Sequence, residues 1–216
     1  DCSSDTQARG DMIFIVDDVD TPVDALRLSV GTNSNPRLLP PANLGVSGAN
    51  RVRTFSVAAS PRRGGTGKIT LQLSDGNNVT GFVVNVIVDR TGRSPLFGTN
   101  ASDMMFGFNH RMMKGLNGDD VLCGGVSDQT LDGGPGVDVV FGGRGEDTLY
   151  GGPGTDGLAG GAGNDLMFGG SGADLFEGDA GRDRAADFNV QEGDTQDGTV
   201  EIVSNRARRS EGGAAQ

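Results

Sequence analysis

Between residues 12 and 88 apolar and polar positions alternate with a period of two, the spacing of strands that bury one face. Ile69, Leu71 and Leu73 alternate with Thr70, Gln72 and Ser74, and beyond Asp75-Gly76 the pattern resumes in Phe82, Val84, Val86 and Val88. Two alternating runs around an Asp-Gly turn predict a β-hairpin. Met12–Val16, Leu26–Val30 and Val52–Ala58 read as further strands. Short strands separated by turn residues predict an antiparallel β-sandwich. Gly64-Gly65-Thr66-Gly67-Lys68 lacks the Ser or Thr and the first Gly of a phosphate-binding loop, and is read as a hairpin turn ahead of the strand at Ile69.

Farther along the chain the period changes. Large apolar residues recur every nine positions, at Leu122, Leu131, Val140, Leu149, Leu158, Met167 and Phe176. Between them stand the pairs Gly124-Gly125, Gly133-Gly134, Gly142-Gly143, Gly151-Gly152, Gly160-Gly161 and Gly169-Gly170, with an Asp at constant phase. Each unit reads as a glycine turn and a three-residue strand whose middle side chain points inward. One unit buries too little alone, so neighbours must stack into a solenoid. The divisions that follow are a sandwich over 1–88 that is N-terminally incomplete, a linker at 89–97, a solenoid over 98–186 and an extension at 187–216. Residues 204–216 are expected to be disordered.

Charge sharpens the reading of the repeats. Residues 1–97 carry 10 Lys/Arg and 9 Asp/Glu, whereas residues 98–186 carry 5 and 14. The acidity belongs to the repeats, and so do 24 of the 38 glycines. An acidic array calls for a cation and excludes nucleic acid, whose phosphates need Lys and Arg. A Gly-rich turn lets backbone carbonyls approach an ion, and Asp supplies the charge that carbonyls lack. The hard oxygen set suits calcium, which takes six to eight oxygens at about 2.3–2.6 Å.

Written in nines, the units Gly133-Gly-Pro-Gly-Val-Asp138-Val-Val-Phe141 and their successors resemble the RTX family, the haemolysin-type calcium-binding repeats with the unit Gly-Gly-x-Gly-x-Asp-x-U-x, where U is a large apolar residue. The resemblance implies a calcium-bound parallel β-roll with two repeats per turn, so that sites form between repeats eighteen residues apart. It implies one edge of Asp120, Asp138, Asp156 and Asp174, and a second of Asp147, Asp165 and Asp183. The glycines implied at the sites are Gly133, Gly134 and Gly136; Gly142, Gly143 and Gly145; Gly151, Gly152 and Gly154; Gly160, Gly161 and Gly163; and Gly169, Gly170 and Gly172. Three bridged pairs on one edge and two on the other give about five ions or more. Gln129 stands where the second edge should begin, which puts a Gln129–Asp147 site in doubt. Residues 107–114 are one short and lack the Asp, and residues 98–106 keep Asp103 and Met105 without the glycines.

Asp17–Pro22, Gly48–Arg51 and Ser74–Gly76 resemble the Ig-like or cadherin-like modules of large bacterial surface proteins, which act as spacers. The run Asp17–Asp20 is read as a solvated turn in preference to a calcium site at a domain junction. All-β architecture follows throughout: an antiparallel Ig-like β-sandwich, then the roll. Asp187-Phe188 and Gly193-Asp194 resemble the segment that follows RTX repeats.

No HExxH, no Gly-x-Ser-x-Gly and a single His110 leave no catalytic constellation, so the chain is read as no enzyme. Cys2 and Cys123 match no metal-ligand spacing. No apolar run of about 18 residues spans a membrane. The chain opens on Asp1 without a signal-peptide pattern, and is expected to be a fragment or processed product. The family resemblance implies a calcium-binding structural module of a secreted or cell-surface bacterial protein. Such a module would be adhesin-like, exported by type I secretion machinery, and would fold on calcium outside the cell, with a host or cell-surface ligand unidentified. The alternative is the C-terminal module of an RTX toxin or secreted hydrolase whose catalytic domain is absent.

Overall fold

The computed structural model describes residues 9–15, 26–48, 52–60, 63–93, 95–108 and 110–202. Asp17–Asp20, Cys2, the Ala49–Arg51 part of the Gly48–Arg51 segment and residues 204–216 lie outside them. The described residues are all-β apart from a 3-10 turn at Pro41–Asn43. Strands β1 (Arg9–Ile15), β2 (Arg27–Asn33), β3 (Leu44–Ser47), β4 (Val52–Ala58), β5 (Gly65–Ser74) and β6 (Val79–Asp89) pair antiparallel as β1-β4-β3 and β2-β5-β6. The predicted hairpin is β5–β6, with Ser74 opposite Val79. Asp75 builds its turn by accepting from the Asn77 backbone N–H at 2.6 Å, and Gly76 takes φ +96. Phe55, Val57, Ile69, Leu71, Val84 and Val86 close one core between the two sheets.

Two details differ from the sequence reading. The Gly65–Lys68 segment is not a turn but the start of β5, paired with β6 up to Val88. The glycine serves packing: a Cβ on Gly67 would stand 2.7 Å from the Cδ1 of buried Leu39. The strand β3 carried no clear alternation and was not anticipated.

β6 then pairs in parallel with β8 (Asp103–Gly107), and a parallel β-solenoid of about six turns runs over residues 85–201. One face extends β6 through β8, β10 (Val121–Cys123), β12 (Val139–Arg144), β14 (Gly157–Ala162), β16 (Leu175–Ala180) and β18 (Thr195–Gln196). The other face stacks β7 (Leu96–Phe97), β9 (Met112–Lys114), β11 (Thr130–Asp132), β13 (Thr148–Pro153), β15 (Leu166–Ser171), β17 (Asp183–Ala185) and β19 (Val200–Ile202). The register advances eighteen residues per turn, as in Val140↔Leu158 and Leu149↔Met167. All seven apolar positions of the nine-residue pattern point inward and are buried, forming one file from each face. Among the described residues no helix is long and apolar enough to cross a membrane.

The glycine pair serves two purposes. In five of the six pairs the second member sits in left-handed backbone, with Gly134, Gly143, Gly152, Gly161 and Gly170 at φ +99 to +119, and Gly125 is the exception. Only glycine enters that region without strain. At the array's ends the same position is Leu116 (φ 85) and Asp179 (φ 64), the two described non-glycine residues with positive φ. The first member instead gives room to a carboxylate.

Candidate metal centres along the two edges

Seven turns between strands end in an Asp buried on the roll's edge: Asp120, Asp138, Asp147, Asp156, Asp165, Asp174 and Asp183. On the first edge the Asp138 Oδ1 accepts from the Asp120 backbone N–H at 2.8 Å, the Asp156 Oδ1 from Asp138 at 2.8 Å, and the Asp174 Oδ1 from Asp156 at 2.9 Å. On the second edge Asp147 accepts from Gln129 at 2.8 Å, Asp165 from Asp147 at 2.8 Å and Asp183 from Asp165 at 2.9 Å. One carboxylate oxygen therefore ties each ring to the ring before it.

The other oxygen has no such partner. The Oδ2 atoms of Asp120, Asp138, Asp147, Asp156, Asp165, Asp174 and Asp183 are buried and make no hydrogen bond. Buried polar atoms are rarely left unpaired, and an orphaned carboxylate oxygen is costly unless a cation meets it. Each orphan lies against the first glycine of its own turn: a Cβ there would stand 2.5 Å from Oδ2 at Gly133, Gly151 and Gly160, and 2.6 Å at Gly142. At Gly142 and Gly151 the same Cβ would also stand 2.6 Å from the carbonyl of Gly160 or Gly169, one turn on. Carboxylate and carbonyl oxygens of adjacent rings thus crowd into space that a side chain would fill. The carbonyls of Gly136, Gly145, Gly154 and Gly163 likewise face the glycine eighteen residues later.

Electrostatics agree with an unmet demand for positive charge. Burial, chiefly, pushes the Asp138 carboxyl up to about 8, Asp120 and Asp147 to about 7, and Asp156 and Asp165 to about 6. Repulsion between successive Asp residues adds to the rise. Among the described residues no three His, Cys, Asp or Glu side chains converge on one point. A cation on these edges would draw part of its shell from backbone carbonyls, a donor set that suits calcium and not zinc.

The model of the RTX calcium-binding nonapeptide repeat matches residues 124–158 and 150–185, in four copies. This stretch carries RTX calcium-binding repeats. No curated protein and no solved structure matches the chain. The RTX repeats form the parallel roll described above, and their Asp and first-position Gly line its edges.

The edges extend past the seven Asp residues to Asp103 and Asp194, which the sequence reading named without placing them on an edge. Asp120 Oδ1 accepts from the Asp103 N–H at 2.8 Å, a step of 17 residues, and Asp194 Oδ1 accepts from Asp174 at 3.0 Å, a step of 20. Neither terminal Asp has an orphan oxygen. Asp103 Oδ2 accepts from the Thr99 N–H at 2.5 Å, and Asp194 Oδ2 from Asn189 at 2.7 Å. Asp187 caps the last turns, accepting from Gly169 and Gly170 at 2.9 Å each, while Phe188 packs on Phe176 at 5.8 Å between ring centres. Cys123 is buried in β10 and His110 is buried beside β9.

Proposed function

We propose that the roll is a calcium-binding structural module of a secreted or cell-surface bacterial RTX protein, adhesin-like and without catalytic activity of its own. The seven buried, unpartnered Oδ2 atoms support this reading most directly. Asp120–Asp138, Asp138–Asp156 and Asp156–Asp174 would each hold an ion on the first edge, and Asp147–Asp165 and Asp165–Asp183 on the second. The first-position glycines leave room for the ion, and their neighbours' carbonyls complete its oxygen shell. The ion supplies positive charge where each ring buries a carboxylate, so folding and binding are one event. In a calcium-poor cytosol the repeats would stay extended for type I export and fold outside. That route, and extracellular placement, rest on the likeness to RTX proteins.

The test is isothermal titration of calcium chloride into the full chain freed of metal with EGTA and exchanged into buffer. The reading expects about five equivalents, with β-structure appearing in far-ultraviolet circular dichroism over the same range. No uptake of calcium, or identical spectra before and after, would contradict it.

A further inference from the structure

We propose that Gln129 is a built-in substitute for a calcium ion, closing the N-terminal end of the second edge without metal. The proposal rests on the calcium reading of the remaining rings. Gln129 occupies the phase of the edge Asp residues: its backbone N–H donates to Asp147 Oδ1 at 2.8 Å, and its carbonyl accepts from Thr148 at 2.8 Å. Its side chain, 3% exposed, replaces the orphan oxygen with a saturated group. Oε1 accepts from the Gly125 N–H at 2.6 Å, and Nε2 donates to the Gly107 carbonyl at 3.1 Å and to the His110 carbonyl. Two carbonyls of the preceding turn therefore meet a donor that belongs to the chain.

The chemistry explains why Gln serves and Asp would not. A carboxamide has two N–H donors and one acceptor and carries no charge, so it satisfies inward carbonyls without an ion. Gln is also one methylene longer than Asp, which lets it reach back to a turn that is one residue short. The first rings carry further contacts that need no metal. Lys114 Nζ lies 2.6 Å from Asp132 Oδ2, joining β9 and β11, and Asp103 is closed by Thr99. Phe106, Val121 and Cys123 of the first rings also belong to the apolar cluster of the antiparallel sheets. On the second edge the rings through β11 consequently hold together on amide, ion pair and apolar contact, and present the calcium-dependent rings of that edge with a preformed start to stack on.

The experiment uses the full chain, Gln129→Glu and Gln129→Met, with amide hydrogen exchange in EGTA and calcium titration as readouts. In EGTA the wild-type amides of Gly125 and Thr130 are expected to exchange at least about tenfold more slowly than in either variant, each of which loses the donor. Gln129→Glu, whose new oxygen faces the Gly107 and His110 carbonyls, is expected to recover protection in calcium and to take up one equivalent more than wild type. Gln129→Met is expected to gain no equivalent. Wild-type protection in EGTA equal to that of both variants overturns the proposal, as does Gln129→Glu that binds no added ion and stays fully protected in EGTA. Absence of calcium uptake by the wild type with intact Gln129-dependent protection would instead sink the functional reading and leave the substitution standing.

Discussion

In the antiparallel unit, Phe55 and Val57 of one sheet pack with Ile69, Leu71, Val84 and Val86 of the other, and no Asp or Glu is among the buried residues described there. In the roll, each half-turn of about nine residues contributes one inward apolar side chain, and most half-turns from Asp120 to Asp183 also bury a carboxylate. The first arrangement gains its stability from apolar area removed from water, which needs no bound cation. The second adds glycines, whose ordering costs more than that of other residues, and negative charges that burial disfavours. Two β-structures in one continuous sheet thus differ in what holds them. One carries its own driving force; the other needs a cation to complete it.

Breaking an edge in its middle should give the largest effect. Asp156 is shared by two pairs, whereas Asp183 ends its edge at Arg184 and Ala185. Asp156→Ala is expected to lose about two calcium equivalents and Asp183→Ala about one, as read by calorimetric titration. Equal stoichiometry and affinity in the two variants would break the paired-edge account. Both should leave the antiparallel unit unchanged.

Glycine substitutions sharpen the contrast at smaller scale. A Cβ on Gly154 would run into the Gly136 carbonyl oxygen, while a Cβ on Gly157 meets nothing within 4 Å. In saturating calcium Gly154→Ala should lower stability by about 1–3 kcal/mol and Gly157→Ala by less than about 0.5 kcal/mol, measured by thermal denaturation. Equal effects would mean that the turns are looser than their packing indicates.

Acidity acts more gently and with opposite signs in the two metal states. The edge carboxyls titrate near 3.8 when unfolded, but burial raises them to about 6–8 in the metal-free fold. The folded roll then holds protons that the unfolded chain has lost, so its metal-free stability is present below pH 4 and falls as pH rises towards 8. Calcium must displace those protons, so its affinity rises over the same interval. In EGTA the roll should therefore be more structured at pH 5 than at pH 8, and in limiting calcium the order should reverse. Circular dichroism at the two pH values, with and without metal, checks both signs.

Much of the roll was legible because its signal is periodic. Leu122 to Phe176 recur at one phase, and a fixed eighteen-residue register follows once two units make a turn. The role of each glycine in its pair was not legible, since close approach to Asp Oδ2 and left-handed backbone leave the same letter. Asp103 and Asp194 were visible as residues, but steps of 17 and 20 in an array otherwise spaced by 18 kept them from being read as members of the edge. Gln129 announced an interruption, but its carbonyl partners come from a shortened turn that only the fold brings near. In the antiparallel unit, alternation located β5 and β6 while misplacing the start of β5, where Gly67 accommodates Leu39. No local pattern announced that β6 continues as a ring of the roll, because parallel pairing with β8 is a long-range choice.

The dependence of one region, and not the other, on calcium is tested most directly by hydrogen exchange of the full chain with calcium and with EGTA. Amides of β12–β17 are predicted to be protected in calcium and to exchange freely in EGTA, while those of β5 and β6 keep their protection in both. Protection of β12–β17 that is unchanged by EGTA would contradict the account.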